Sequence, residues 1–241
     1  MAVALTVVVP VKDEAQNVGI LAREIATALA GDTSYEVIFV DDASTDGTPT
    51  VLKQLKEDMP QLRIIRHARN AGQSRALRTG VSAARSEIVA TLDGDGQNDP
   101  ADLPKLLAEI QAGGFQLGMV AGVRLQRRDN WAKRQASRAA NRVRNWALKD
   151  GATDTGCGLK AFRRSAYLAL PYFDHMHRYL ITLMLREGYK VQYVNVSHRP
   201  RLHGRSKYGV WDRAIVGITD LLGVRWLQHR FRGGVFETEE L

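Results

Sequence analysis

The chain of 241 residues has one cysteine, Cys157. No internal disulfide can form, and no thiolate zinc cage is available. No apolar run approaches the ~20 residues that cross a bilayer as a helix. The first residues enter a strand-like stretch with no basic leader and no small-residue cleavage site, so the expectation is a cytoplasmic protein without a signal peptide. Neither G-x-x-x-x-G-K-[ST] nor a strand-linked G-x-G-x-x-G occurs, which argues against a P-loop NTPase and a dinucleotide dehydrogenase. Aromatic residues make up only 7% and are not interleaved with the basic ones, so no nucleic-acid-recognition module is evident. There is no internal repeat and no low-complexity segment.

What is present is an ordinary globular composition with a basic excess. The apolar share of 44% supplies a full core, and the net charge of +8 predicts anionic partners. The charge is uneven. Basic residues gather between Arg124 and Lys149 and again between His198 and Arg213, whereas the distinctive acids lie in the first hundred residues.

Strand-like and helix-like stretches alternate five times. LTVVVPV, EVIFVDD, LRIIRH, EIVATLDGD and QLGMVAGVR are short runs without alternation, as in strands buried on both faces. Helical spacing of apolar residues fills the intervals, with Ser44 or Thr45 as expected caps of the second helix. The fold class predicted is α/β, a mostly parallel, doubly wound central sheet with helices on both faces. Ligands of such sheets sit at the carboxyl ends of the strands. The loops VKDE, DDASTDGT, RNAGQ and DGDGQ all fall at that edge.

Beyond Arg124 the sequence predicts a basic helix over 131–149, a short strand in TDTGCGLKAFRR, a helix in HRYLITLMLREGY and a strand in KVQYVNVSHRP. A glycine-flanked loop, RLHGRSKYG, precedes a last amphipathic helix. The organisation expected is one domain over 1–210, an amphipathic helix over 211–232 that packs on protein or lies on a membrane, and a loose tail over 233–241.

Asp41 and Asp42 end a buried strand. Helix capping explains the Ser, Thr and Asp residues that follow, but not two adjacent acids at a sheet edge, where a carboxylate can accept from ribose hydroxyls or a base N–H. Glu14 ends the first strand beside them. Asp93 and Asp95 flank one glycine. An EF-hand loop would need Glu at its twelfth position, where Pro104 stands, and a helix where a strand precedes. A Mg²⁺ or Mn²⁺ ion held by one or two carboxylates and by substrate phosphates suits the pair better. The basic helix reads mostly as a solvated face. Arg124 at a strand end, and Ser206 and Lys207 in the glycine-flanked loop, suit a phosphate ligand. His175, His177, Cys157 and the tryptophans read as structural.

With VPVKDE, DDASTDGT, NAGQSRALRTG, LDGDGQNDP and AGVR in place, the chain resembles a family 2 glycosyltransferase of the GT-A fold. ASRAAN, TDTGCGLKAFRR and HGRSKYG liken it to the polyprenyl-phosphate branch, typified by dolichol-phosphate mannosyltransferases. The resemblance runs from about Leu5 to Trp226. It implies a metal-dependent, inverting transfer of a sugar from a UDP- or GDP-sugar to a lipid phosphate. It also implies that Pro10, Val11, Lys12, Glu14, Asp41, Asp42, Gln73, Asp93 and Gly94 bind the nucleotide-sugar. Asp93, Asp95 and Gln97 would hold the Mg²⁺ or Mn²⁺, and Arg124, Arg134, Ser137, Arg205, Ser206 and Lys207 would receive the acceptor phosphate. The family often has Asn where this chain has Asp13.

A phosphate monoester is already anionic near neutral pH, so its attack needs no strong base. Asp154 then orients an acceptor-side cation, or acts as the base if the acceptor is a hydroxyl. A glycan- or protein-hydroxyl acceptor is the alternative within the family, a nucleotidyltransferase shares the fold logic, and a basic nucleic-acid-binding protein is the alternative outside it. In the last helix Trp211, Ile215, Ile218, Leu222 and Trp226 share one face, which suits the domain core, a partner subunit or an anionic membrane surface equally. The sequence expectation is thus a peripheral protein on the cytoplasmic face of the membrane, with an oligomer possible in principle.

Overall fold

A computed structural model describes residues 3–31, 33–124, 144–152, 154–200 and 210–231, with backbone alone over 210–216. Seven strands form one sheet: β1 (Leu5–Val11), β2 (Tyr35–Asp41), β3 (Leu62–Arg66), β4 (Ile88–Thr91), β5 (Leu117–Arg124), β6 (Lys160–Arg163) and β7 (Lys190–Val196), in the order β3-β2-β1-β4-β6-β5-β7. All pairings are parallel except those of β6, which runs against both β4 and β5.

The strands β1, β2, β4 and β5 are buried on both faces, as their unbroken apolar runs require, whereas β3, read from sequence as equally buried, and β7 are the sheet's edges and are partly exposed. In β1 the side chains of Leu5, Val7, Val9 and Val11 enter one core, and Val8 enters the other. Helices α1 (Ala15–Ala28), α2 (Thr48–Asp58) and α4 (Leu103–Ala112) cover the first face. Helices α3 (Gln73–Ala83), α5 (Arg164–Ala169), α6 (Leu180–Arg186) and α7 (Val210–Arg230) cover the second. Full burial of side chains such as Phe39, Ile38 and Leu106 contributes roughly 1.5–3 kcal/mol each. The sheet is therefore a rigid base for the loops at its edge.

The reversed strand decides what that edge contains. In register, Lys160 faces Thr91 of β4 and Ala121 of β5. Because β6 runs the other way, its first residue and the loop 154–159 before it lie at the edge where β1, β2, β4 and β5 end. Residues far apart in sequence thereby reach one crevice.

Some local expectations change. Helix α2 begins at Thr48 with Gly47 before it and no side-chain cap from the first position. Ser44 instead accepts the Asp13 N–H at 2.8 Å, and the Thr48 N–H is met by Asp46 Oδ1 at 2.9 Å. DPADLPKLLAEIQ and HRYLITLMLREGY, each read as a single helix, instead have a 3₁₀ turn at the start, Pro100–Asp102 and Met176–Arg178. Of the basic helix expected over 131–149, residues 144–148 are helical and 131–143 lie outside the described residues.

The last helix departs most. Val224 is buried, and Leu221 and Leu227 pack beside it on the second core. The predicted apolar stripe faces away: Ile218, Leu222 and Trp226 are 63%, 64% and 58% exposed. Trp211 and Ile215 lie where side chains are not described. Hence Ile218, Leu222 and Trp226, the described part of this stripe, do not pack on the domain's own core. Trp146 is 79% exposed as well. Arg225 and Gln228 of α7 donate to the carbonyls of Ala147 and Leu148, which seats the helix beside the turn that carries Trp146. Trp146 and Trp226 are therefore surface residues rather than structural ones. No helix among the described residues is long and apolar enough to cross a membrane.

Candidate active site

One wall of the crevice is made by the loops after β1 and β2, which are fastened together. Asp13 Oδ1 accepts the Thr45 N–H at 2.7 Å, Thr48 Oγ1 accepts the Glu14 N–H at 2.9 Å, and Lys12 Nζ donates to the carbonyl of Ala43 at 3.1 Å. Asp13 and Ala43 have positive φ, 49° and 57°, conformations that persist only where surroundings impose them. Glu14 begins α1 and accepts from Asn17 Nδ2 at 2.6 Å.

Asp41 and Asp42 are both buried. Asp41 Oδ1 accepts the Ser44 N–H at 2.9 Å, and its other oxygen lies 3.2 Å from Arg66 Nε. Asp42 holds the loop that leads into α3: its oxygens accept the N–H groups of Ala71 and Gly72, each at 2.8 Å, and lie 2.8 Å from His67 Nδ1. Asp42 thus fixes where α3 begins and, through it, where Gln73 stands.

Gln73 reaches across to the second wall. Its Nε2 donates to Asp93 Oδ1 at 2.8 Å. Asp93 and Asp95 leave β4 in a turn braced by Asn98, whose Oδ1 accepts the Asp93 N–H at 3.1 Å, while Asp95 Oδ1 accepts the Gln97 N–H at 3.1 Å. Gly94 rests on the end of β1: a Cβ there would lie 2.6 Å from a Val11 methyl and 2.9 Å from the Pro10 carbonyl oxygen. Gly158 has the same role from the other side, since a Cβ on it would lie 2.2 Å from Asp93 Oδ2. Only glycine allows Asp93 this position. Burial first, and then the like charge of Asp95, push the Asp93 carboxyl up to about 6. Two acids that repel each other in a partly desolvated turn suit a cation between them.

A cationic group faces these acids. The Arg124 guanidinium takes both Asp154 oxygens, Nε to Oδ2 and Nη2 to Oδ1, each at 2.7 Å, and the Arg124 N–H adds a third contact at 3.3 Å. Burial works against the Arg124 charge, but the Asp154 pair outweighs it and holds its pKa above the ordinary value. Lys160 is buried beneath, its ammonium on the Cys157 carbonyl. Burial lowers its pKa, opposed by Cys157 and by the nearby Asp93 and Asp154. The Cys157 thiol is itself pushed up by burial.

Of the residues singled out from sequence, Pro10, Val11, Lys12, Glu14, Asp41, Asp42, Gln73, Asp93, Gly94, Asp95, Gln97, Arg124 and Asp154 lie in the loops and strand ends of this one edge. Arg134, Ser137, Arg205, Ser206 and Lys207 lie outside the described residues. Sequence reasoning missed His67, Asn98, Gly158 and Lys160. The last three stand inside quoted motifs; Asn98 meets the Asp93 N–H within its own loop, whereas Gly158 and Lys160 come near Asp93 only through long-range packing. His175 and His177, read as structural, border a cavity beside Gln73.

The family model described as Glycosyl transferase family 2 matches residues 6–170. A dodecaprenyl-phosphate galacturonate synthase from Rhizobium johnstonii is 34% identical over 96% of this chain and 70% of its own length. An undecaprenyl-phosphate 4-deoxy-4-formamido-L-arabinose transferase from Edwardsiella ictaluri is 31% identical over 86% of this chain and 63% of its own. The chain thus spans about two thirds of the length of these relatives. Among solved structures, glucosyl-3-phosphoglycerate synthase from Mycobacterium tuberculosis, in complex with Mn²⁺ and UDP-glucose, superposes with a TM-score of 0.72 at 18% identity, covering 92% of this chain and 79% of that one. The same protein with Mg²⁺ and UDP gives 0.70 at 16% identity, covering 93% and 79%. These structures share the GT-A fold, the sheet flanked by helices described above. By sequence and by fold, the chain belongs to glycosyl transferase family 2.

Proposed function

We propose that this protein transfers a sugar, with inversion, from a nucleotide-sugar to a polyprenyl-type lipid phosphate. The observation that carries the reading is the position of Asp93, tied on one side to Gln73 and the Asp42 loop and faced on the other by the Arg124–Asp154 pair. The acidic wall offers Glu14, Asp41 and Asp42, with backbone groups of Pro10 to Lys12, to a nucleoside. The cationic side offers charge to a phosphate. The names of the relatives, both polyprenyl-phosphate sugar enzymes, agree with that division.

Asp93, Asp95 and the side chain of Gln97 fit a divalent cation, Mg²⁺ or Mn²⁺. Such an ion would neutralise the diphosphate of the donor and of the leaving nucleotide. Among the described residues no three acids, histidines or cysteines form a closed cage. Substrate oxygens and water would supply further ligands to such a cation.

The chain's own residues supply position and charge. Arg124 is presented by the end of β5 and held rigid by Asp154, so it can meet an incoming phosphate without reorganising. The attacking oxygen is already an anion and displaces the nucleoside diphosphate in line at the anomeric carbon. No proton need be taken up. Both Asp154 oxygens are engaged by Arg124, which favours the orienting role for Asp154 over that of a general base. Arg134, Ser137, Arg205, Ser206 and Lys207 complete the proposed acceptor-phosphate set.

A lipid acceptor requires access to the bilayer. Ile218, Leu222 and Trp226 of α7 are exposed apolar side chains at helical spacing, Arg230 lies over the Trp226 ring, and Trp146 is exposed in the turn to which Arg225 and Gln228 of α7 donate. An apolar face with a cationic border suits an anionic membrane interface. We assign α7 to peripheral attachment at the membrane, with 1–210 as the transferase domain and 233–241 as a tail. The assay that tests this reading combines the full chain, Mn²⁺, a short polyprenyl phosphate and a panel of UDP- and GDP-sugars. A lipid-phosphate-sugar mass that disappears with EDTA or with Asp95→Ala supports it. Glycosylation of a hydroxyl acceptor alone, dependent on Asp154, would replace it with the hydroxyl reading.

A further inference from the structure

The turn that carries Asp93, Asp95 and Gln97 has to hold three side chains in place on a short piece of chain. Its near end is fixed by β4, by Gly94 resting on Val11, and by Asn98, whose side chain accepts the Asp93 N–H. Its far end is fixed by a segment remote in sequence. The chain that leaves β7 lies along residues 97–102. Its Arg199 N–H donates to the Gln97 carbonyl at 2.9 Å, His198 and Asn98 pair as an antiparallel bridge, and Asp102 Oδ2 accepts the Ser197 N–H at 2.7 Å. Gln97 is thereby held from both sides, since its own N–H donates to Asp95 Oδ1 at 3.1 Å.

The Arg199 side chain completes the fastening. Nη1 and Nη2 donate to the two oxygens of Glu24 in α1, at 2.8 and 3.2 Å, and Nη2 also donates to Asp99 Oδ1 at 3.0 Å. The same Asp99 oxygen accepts the Ala101 N–H at 3.0 Å and so caps the 3₁₀ turn that follows. One guanidinium thus joins α1, the Asp93–Asp99 turn and the segment after β7. It also stands between two carboxylates. With no cation there, Glu24 and Asp99 would repel each other. Glu24 belongs to a helix anchored in the core by Val18, Leu21 and Ile25, so the turn is the side that would yield.

The three side chains are partly exposed, and ion pairs in such positions contribute little to stability. Placement is the larger effect. Residues that stand behind metal ligands and orient them commonly change metal affinity by about 10- to 100-fold when removed.

We propose that Arg199 is a positioning residue of the metal site. Through Asp99 and the Gln97 carbonyl it sets the turn that presents Asp95 and Gln97 to the cation, without touching the cation itself. The inference rests on the reading of Asp93, Asp95 and Gln97 as a divalent-cation site, and it adds what orients two of them.

The test is calorimetric titration of the full chain with Mn²⁺ alone, with Asp95→Ala as the background. Arg199→Gln should weaken Mn²⁺ binding about tenfold or more. Arg199→Lys keeps a charge between the carboxylates but not the fork, and should fall between Arg199→Gln and the wild type. Asp99→Asn keeps the cap on Ala101 and loses the charge. Arg199→Gln combined with Asp99→Asn should bind Mn²⁺ no more weakly than Arg199→Gln alone, because both changes act on one contact. Urea midpoints taken in parallel report that each variant is folded, and Arg199→Lys carries the test if Arg199→Gln is not. Lowered midpoints with unchanged Mn²⁺ affinity in both Arg199 variants would make the residue purely structural and overturn the inference, as would losses that add in the double variant. If the wild type and Asp95→Ala titrate alike, the metal site itself is overturned and the inference with it. An Arg199-dependent Mn²⁺ site in a protein that makes no lipid product leaves the inference standing and removes only the acceptor assignment.

Discussion

Arg124 and Asp154 meet through two parallel hydrogen bonds of 2.7 Å each, with side chains only 12% and 7% exposed. Thirty residues apart in sequence, they place a fixed guanidinium opposite Asp93. Removing Asp154 leaves a buried cation without its counter-charge. Asp154→Ala is expected to cost roughly 3–5 kcal/mol of stability and to abolish transfer. Arg124→Met combined with Asp154→Leu should regain most of the stability and none of the activity. Urea unfolding and the lipid-product assay on the three variants check both halves. An active double variant would mean that the pair is only structural.

Gly158 is expected to tolerate no side chain. Gly158→Ala places a methyl 2.2 Å from Asp93 Oδ2, and the carboxylate has to move. Mn²⁺ affinity, measured by calorimetry, should fall about tenfold or more, since metal sites depend on ligand placement within a few tenths of an ångström. Unaltered affinity in Gly158→Ala would remove Asp93 from the metal site.

The acid limb of stability should carry the signature of His177. Burial, followed by the charge of Arg178, lowers its folded pKa to about 3, below the ordinary value of 6.5, so the unfolded chain binds the extra proton. Its contribution is complete above about pH 6.5 and is lost progressively as pH falls towards 3, with a slope of at most about 1.4 kcal/mol per pH unit. Asp93, raised to about 6, acts with the opposite sign between its unfolded and folded values, so the wild-type curve alone does not isolate His177. The comparison with His177→Asn does. Unfolding midpoints at pH 7.5, 5.5 and 4.5 should decline less in the variant, and parallel curves would refute the assignment.

The exposed face of α7 should bind vesicles. Sedimentation with mixed phosphatidylcholine and phosphatidylglycerol vesicles should capture the protein more strongly than with phosphatidylcholine alone, and high salt should weaken it. Leu222→Asp with Trp226→Asp should reduce binding at least about tenfold, because each exposed apolar side chain contributes roughly 1–2 kcal/mol when buried. A mass that doubles with protein concentration and returns to that of the monomer in the same variant would instead identify a second copy as what covers this face.

Much of this architecture is legible in the sequence because β1, β2 and β4 are short apolar runs that lead into acidic loops. β1, β2 and β4, with Asp42 and Asp93 at their ends, need no tertiary information. The reversal of β6 does. A four-residue strand carries no sign of its direction, and only its pairing with both β4 and β5 brings Lys160 and Gly158 to Asp93. Asp42 shows the same limit: sequence places it at the crevice, and packing shows its oxygens on the 67–72 loop. In α7 helical spacing identified an apolar stripe, but spacing cannot say which apolar residues face the body. Val224, with Leu221 and Leu227, all outside that stripe, packs there.

The central claim is transfer to a phosphate oxygen. Release of nucleoside diphosphate, followed as a function of acceptor with a matched polyprenyl phosphate and polyprenol, tests it most directly. The account predicts Mn²⁺-dependent release that rises with polyprenyl phosphate and stays at the acceptor-free level with polyprenol. Equal release with the two lipids, or release with polyprenol alone, would contradict it.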